Sequence, residues 1–212
     1  MSPPERRALD HGAGDGTERS GGPGDPRRAY AAAMPDFLTD VETLRARARA
    51  EIDKGPITEA YGADRERVIQ VCNEALATEI VCWLRYKRHY YTAKGSPAAE
   101  PIAAELLVHA NEELAHSDML ATRIVQLQGE PDYDPEGLAS RSHAHYDDSA
   151  DLRTMLREDL VAERIAIASY TEIIQWLGTN DPTTRRMFED ILMQEEEHAD
   201  DLLGFLEDLE GR

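Results

Sequence analysis

Apolar residues recur at three- and four-residue intervals from residue 64 onward, and the pattern breaks only at a few glycines and prolines. It predicts helices over roughly 64–92, 98–129, 150–178 and 181–209, with Asp64 as a start signal and stops at Gly95, Gly129 with Pro131, and Gly178 with Asn180. Helices of this length would each run more than about 40 Å, which suits a bundle. Two of the three connections are short and imply antiparallel neighbours, whereas the polar stretch 131–149 is long enough to start the third helix parallel to the second. A weaker periodic segment over 36–54, closed by Gly55 and Pro56, predicts a short helix, and the glycine- and proline-rich residues 1–34 read as a disordered tail. The expected organisation is therefore a tail over 1–34, a short helix and linker over 35–63, and an all-α four-helix bundle over 64–212.

Every one of the four apolar stripes carries an interruption. In the first, Glu79 falls between Val68, Cys72, Leu76 and Cys82; in the second, Glu113 and His116 fall between Ile102, Leu106, His109 and Leu120, Ile124, Leu127. The third places Glu163 between Leu156, Leu160 and Ile167, Tyr170, and the fourth places Glu195 and His198 between Phe188, Ile191 and Leu202, Phe205. Burying four carboxylates together without compensating charge is prohibitive, so cations are expected among them. Glu and His three positions apart share a helix face, and two such pairs plus a single Glu from each remaining helix supply four carboxylates and two imidazoles. Oxygen-rich ligation with two imidazoles suits a pair of iron or manganese ions better than structural zinc.

The halves of the chain repeat this arrangement: Glu79 and Glu163 are each followed seven residues later by a tyrosine, Tyr86 and Tyr170, which implies an approximate two-fold relation about the metal pair. Either tyrosine could bond a ligand carboxylate or pass electrons, although packing is the commoner role of such a residue. Cys72 and Cys82 share the Glu79 face and read as small buried hydrophobes rather than redox groups. His109 reads as a satisfied core histidine in preference to a gate for metal entry, and His143 and His145 as solvated loop residues.

Charge narrows the partners. With 42 acidic and 23 basic residues, a formal charge of −19 repels nucleic acid and anionic membranes over most of the surface. Two cysteines ten residues apart on one helix, about 15 Å along its axis, cannot pair, which fits a reducing compartment. With no apolar run of membrane-spanning length, a cytoplasmic location is expected.

The segments LATEIVCWLRYKRHYY, NEELAHSDM, EDLVAERIAIASY and ILMQEEEHADDLL resemble the ligand-bearing helices of the bacterioferritin branch of the ferritin-like family, over roughly residues 65–209. The resemblance implies a ferritin-like bundle with a long crossover between its second and third helices, and a ferroxidase. Its ligands would be Glu79, Glu113, His116, Glu163, Glu195 and His198, with Glu113 and Glu195 as bridges and Tyr86 as the site tyrosine. It further implies that Fe(II) is oxidised by O2 or H2O2 and stored as Fe(III) in a hollow homo-oligomer. Leu114 stands where the family's haem methionine would follow Glu113, so haem between subunits is not expected. The chain ends at Arg212 without a fifth helix, which favours a Dps-like shell of twelve subunits over one of twenty-four. A DNA-protecting iron protein of Dps type and a non-storing di-metal oxidase or peroxidase are the alternatives.

Overall fold

A computed structural model describes residues 39–211, and the predicted tail lies outside them. The chain divides into two units, Met1–Ala50 and Glu51–Arg212. In the first unit the short helix α1 spans Val41–Ala50 and buries none of its residues. Asp40 caps it, accepting the Thr43 amide at 3.0 Å. The periodic segment expected to reach residue 54 ends earlier, because a separate 3₁₀ turn at Ile52–Lys54 follows and Gly55 adopts φ 58°.

The second unit holds four long helices, α2 (Arg65–Ala93), α3 (Glu100–Gln126), α5 (Leu152–Leu177) and α6 (Pro182–Glu210), with a short α4 (Pro135–Arg141) in the connection between α3 and α5. Asp64, Asp151 and Asp181 cap α2, α5 and α6 by accepting amide hydrogens of the first turn. Asp134 does the same for α4, where Pro135 occupies the first turn. That helix went unpredicted because seven residues are too few for an apolar period to show.

Helices α2 and α3 form one hairpin, and α5 and α6 the other. Contacts across the bundle fix the directions: Tyr86 meets Glu163 while Tyr170 meets Glu79, so α2 and α5 run antiparallel. Likewise His116 meets Gln194 while His198 meets Glu112, so α3 and α6 run antiparallel. Helices α3 and α5 are therefore parallel, which the long crossover permits. Buried polar groups pin that crossover to α2: Arg85 Nη1 donates to the His145 carbonyl at 3.0 Å, and His89 Nε2 lies 3.3 Å from Asp147 Oδ2. On its other side His89 Nδ1 approaches both Asp159 oxygens, at 3.0 and 2.9 Å, and Arg85 Nε lies 2.9 Å from Asp159 Oδ1.

The apolar core comes in two main blocks. One packs Val68, Leu76, Leu120, Ile124, Leu177 and Phe188; the other packs Ala93, Ile102, Leu106, Leu156, Leu202 and Leu206. Along α3, α5 and α6 the interrupting Glu and His positions fall between these blocks, and on α2 Glu79 lies at the end of the first block beside Ile80, so the polar residues form a layer across the bundle with hydrocarbon on both sides. No described helix is long and apolar enough to cross a membrane.

Candidate metal centre

The polar layer comprises Glu79, Glu113, His116, Glu163, Glu195 and His198, none more than 2% exposed. Two overlapping sets of ligand atoms emerge, each within 4.8 Å of one another: Glu79, Glu113, His116 and Glu195 in one, Glu113, Glu163, Glu195 and His198 in the other. Glu113 and Glu195 belong to both. Glu113 lies 3.7 Å from His116 Nδ1 by its Oε2 and 3.5 Å from His198 Nδ1 by its Oε1. Glu195 repeats this with Oε1 3.1 Å from His116 Nδ1 and Oε2 3.6 Å from His198 Nδ1. Each single Glu serves one side only, Glu79 Oε2 lying 3.2 Å from His116 Nδ1 and Glu163 Oε2 3.9 Å from His198 Nδ1.

Outward of this layer each imidazole is tethered by its other nitrogen. His116 Nε2 pairs with Gln194 Oε1 and His198 Nε2 with Glu112 Oε2, both at 2.8 Å. An acceptor at Nε2 holds the proton there and leaves Nδ1, which faces the carboxylates, free to coordinate. Neither Glu112 nor Gln194 was singled out from the sequence, although a signal existed: they are 82 residues apart, as are Glu113 and Glu195, and His116 and His198. The tyrosines are crossed in the same way, the Tyr86 hydroxyl donating to Glu163 and the Tyr170 hydroxyl to Glu79. Burial and the adjoining carboxylate raise both phenols well above their ordinary value, so they remain donors.

The electrostatics of the layer test whether it suits cations. Burial, reinforced by Glu195 and Glu113, pushes the Glu79 and Glu163 carboxyls well above the usual range. Burial acts the same way on Glu113 and Glu195, but the adjoining groups outweigh it, Glu79, His116 and His198 holding Glu113 low and His116, His198 and Glu163 holding Glu195 low. Burial disfavours both imidazolium ions, yet the surrounding glutamates overcome it, raising His116 strongly and His198 to about 12. These carboxylates and imidazoles therefore titrate as one cluster, in which positive imidazolium charge offsets negative carboxylate charge. Two divalent cations displacing protons from the cluster would cancel the charge of four carboxylates. Glu113 Oε1, Glu195 Oε1 and His198 Nδ1, all buried, make no hydrogen bond, which is the behaviour of atoms built to face a cation. The donor set fits a pair of such ions.

The remaining candidates fall out differently. Cys72 and Cys82 are free, buried thiols, and burial pushes Cys72 up to about 12 and Cys82 well above its ordinary value, as expected of inert core residues. His109 departs from expectation: it is 1% exposed, yet neither ring nitrogen makes a hydrogen bond, so it is not a satisfied core histidine. His145 is exposed, while His143 is half-buried, its amide donating to Thr78 Oγ1 at 2.9 Å. Leu114 lies on an outer face, 41% exposed.

Fold and site together define an all-helical bundle whose interior carries a carboxylate and histidine cluster able to hold metal. The model of the ferritin-like domain matches residues 69–211, and the chain belongs to the ferritin-like family. Among its relatives, the bacterioferritin of Desulfovibrio desulfuricans is 30% identical over 137 residues, covering 63% of this chain and 71% of that protein. The DNA protection during starvation protein of Pyrococcus furiosus is 29% identical over 147 residues, covering 67% and 78%. A solved dodecameric thioferritin, the bacterioferritin-related protein from Bacteroides fragilis, shares the fold with a TM-score of 0.66 at 30% identity, covering 70% of this chain and 89% of its own.

Proposed function

We propose that this protein is a cytoplasmic ferroxidase and iron store. The observation that carries the reading is that Glu113 and Glu195 each turn one oxygen toward His116 and the other toward His198. A carboxylate so placed bridges two ions, and two bridges hold them as a pair. Glu79 and His116 complete one ion's ligands, and Glu163 and His198 the other's. The bound Fe(II) pair is the substrate: each ion gives up one electron, and O2 or H2O2 accepts the two.

The protein's own part is to hold this geometry in a dry layer. Glu112 and Gln194 keep the proton of each imidazole on Nε2, so that Nδ1 offers its lone pair inward. Tyr86 and Tyr170 orient the single glutamates by donating to one oxygen and leaving the other turned toward His198 and His116, respectively. Release of protons from this cluster on loading offsets the charge that the ions bring.

A hollow oligomer would store the Fe(III), and likeness to a bacterioferritin-related dodecamer at 30% identity favours twelve subunits. With Leu114 at the position discussed above, haem between subunits forms no part of the reading. The test is anaerobic Fe(II) loading followed by oxygen, with iron per chain and oligomer mass recorded together. Rapid oxidation and many irons per chain in a dodecamer are expected; two irons per chain with no further uptake would replace storage with a plain oxidase. In Glu79→Ala with Glu163→Ala, rapid oxidation should vanish, and a wild-type rate there would remove the site. The name of the Pyrococcus furiosus relative raises DNA protection as a second reading. The charge of −19 opposes it, and a gel shift at low salt distinguishes the two.

A further inference from the structure

Beyond the central layer, one buried histidine among the described residues remains without a task. His109 sits on α3 one turn before Glu113, its ring stacked on His198 at 4.1 Å between centroids and edge-on to Tyr86 at 5.3 Å. The His109 side chain is 1% exposed and neither nitrogen has a hydrogen-bond partner. Its Nε2 is aimed at two carboxylates nearer the surface, Glu105 Oε1 at 3.8 Å and Asp201 Oδ2 at 3.5 Å. Those separations are too long for hydrogen bonds. They are close to the spacing between ligands that share one cation: bonds of about 2.1 Å in tetrahedral arrangement put neighbouring ligand atoms about 3.4 Å apart. The three ligand atoms all lie within 4.8 Å of one another.

We propose that Glu105, His109 and Asp201 form a third site, one that binds a divalent transition-metal cation and loads the central pair. One imidazole and two carboxylates suit Fe(II) or its analogues Co(II) and Mn(II). The Glu105 and Asp201 side chains are 36% and 50% exposed, so solvent reaches the remaining coordination positions and the ion exchanges readily. From there the path inward is short, because the His109 ring lies against His198, whose Nδ1 faces Glu113, Glu163 and Glu195. Binding at this site stands on its own three residues, while the loading role rests on the di-metal reading above.

Anaerobic equilibrium dialysis of the metal-free full-length protein against Co(II) tests both parts. The wild type should bind three Co(II) per chain, Glu105→Gln with Asp201→Asn two, and Glu79→Ala with Glu163→Ala about one. The Glu105 and Asp201 replacements preserve size at a half-buried and an exposed position, so folding is not at stake, and His109→Gln gives an independent third variant expected to match them. Equal stoichiometry in wild type and both outer-site variants would overturn the third site whatever the central residues do. Loss of one Co(II) in those variants, with no effect of the Glu79 and Glu163 replacements, would keep the third site and remove the di-metal reading instead. For loading, initial Fe(II) oxidation at limiting iron should slow several-fold in Glu105→Gln with Asp201→Asn and recover at saturating iron; an unchanged rate at limiting iron overturns that role.

Discussion

An imidazole that faces carboxylates from one nitrogen needs an acceptor at the other, or its tautomer and its ring rotation are both undetermined. Glu112 supplies that acceptor for His198, and Gln194 for His116, each one helix across the bundle from the ring it serves. Glu112 is partly exposed and lies outside both ligand sets, so Glu112→Ala should leave the fold intact. Its expected effect is a loss of about 10- to 100-fold in affinity for Co(II) at the His198 side of the pair, read by competition with a coloured chelator. No change would mean that packing alone orients His198. The six residues of the polar layer were legible in the sequence because each is a polar residue on an otherwise apolar stripe. Glu112 and Gln194 were not, because they stand one position off the stripe and their partners are remote in sequence.

At the scale of single elements, the C-terminus of α3 shows what a helix end demands. The stop expected at Gly129 is real, but the residue in left-handed conformation is Gln128, with φ 61°. The Gln128 amide bonds the Val125 carbonyl and the Gly129 amide the Ile124 carbonyl, both at 2.9 Å, which closes the last turn. Glycine is needed at 129 for space instead: a Cβ there would lie 2.8 Å from Ile69 Cγ2 and 3.0 Å from Ile124 Cγ2. Gly129→Ala should therefore destabilise the protein by about 1–3 kcal/mol in chemical denaturation, as overpacking does. A neutral result would show that Ile69 yields without cost.

The start of α6 carries a pH dependence. Burial alone would raise the Asp181 carboxyl, but the Thr184 hydroxyl and amide, the Tyr61 hydroxyl and the Arg123 guanidinium together hold it below its ordinary value. A carboxyl lowered by folding adds stability that is fully present above its unfolded value of 3.8 and is lost as pH falls through the lower folded value. Measured from pH 7 to pH 2, the stability gap between wild type and Asp181→Asn should be constant above about pH 5 and shrink below about pH 4. A gap that widens on acidification would contradict the sign. Helix limits agreed with the sequence to within a few residues because caps and stops are local chemistry.

For the molecule as a whole, a polar layer between two hydrocarbon blocks is a weak plane whose strength depends on what fills it. A ligand that binds only the folded state stabilises it in proportion to the logarithm of its concentration, about 2.7 kcal/mol per site at a hundred times Kd. The melting temperature of the metal-free protein should thus rise with added Co(II) under anaerobic conditions, and the rise should largely disappear in Glu79→Ala with Glu163→Ala. An equal rise in that variant would place the stabilising ion elsewhere.

By itself the sequence determined the four long helices, the direction each presents to the core, and the six polar residues that share those faces, since all of these follow from periodicities within one helix. Tertiary structure alone decided which residues pair across the bundle. The crossed tyrosines, the tethers from Glu112 and Gln194, the crossover pinned by Arg85 and His89, and the unpartnered His109 facing Asp201 all depend on how helices distant in sequence are rotated and set against each other. Local patterning carries no information about that rotation, which is set by the packing of entire faces.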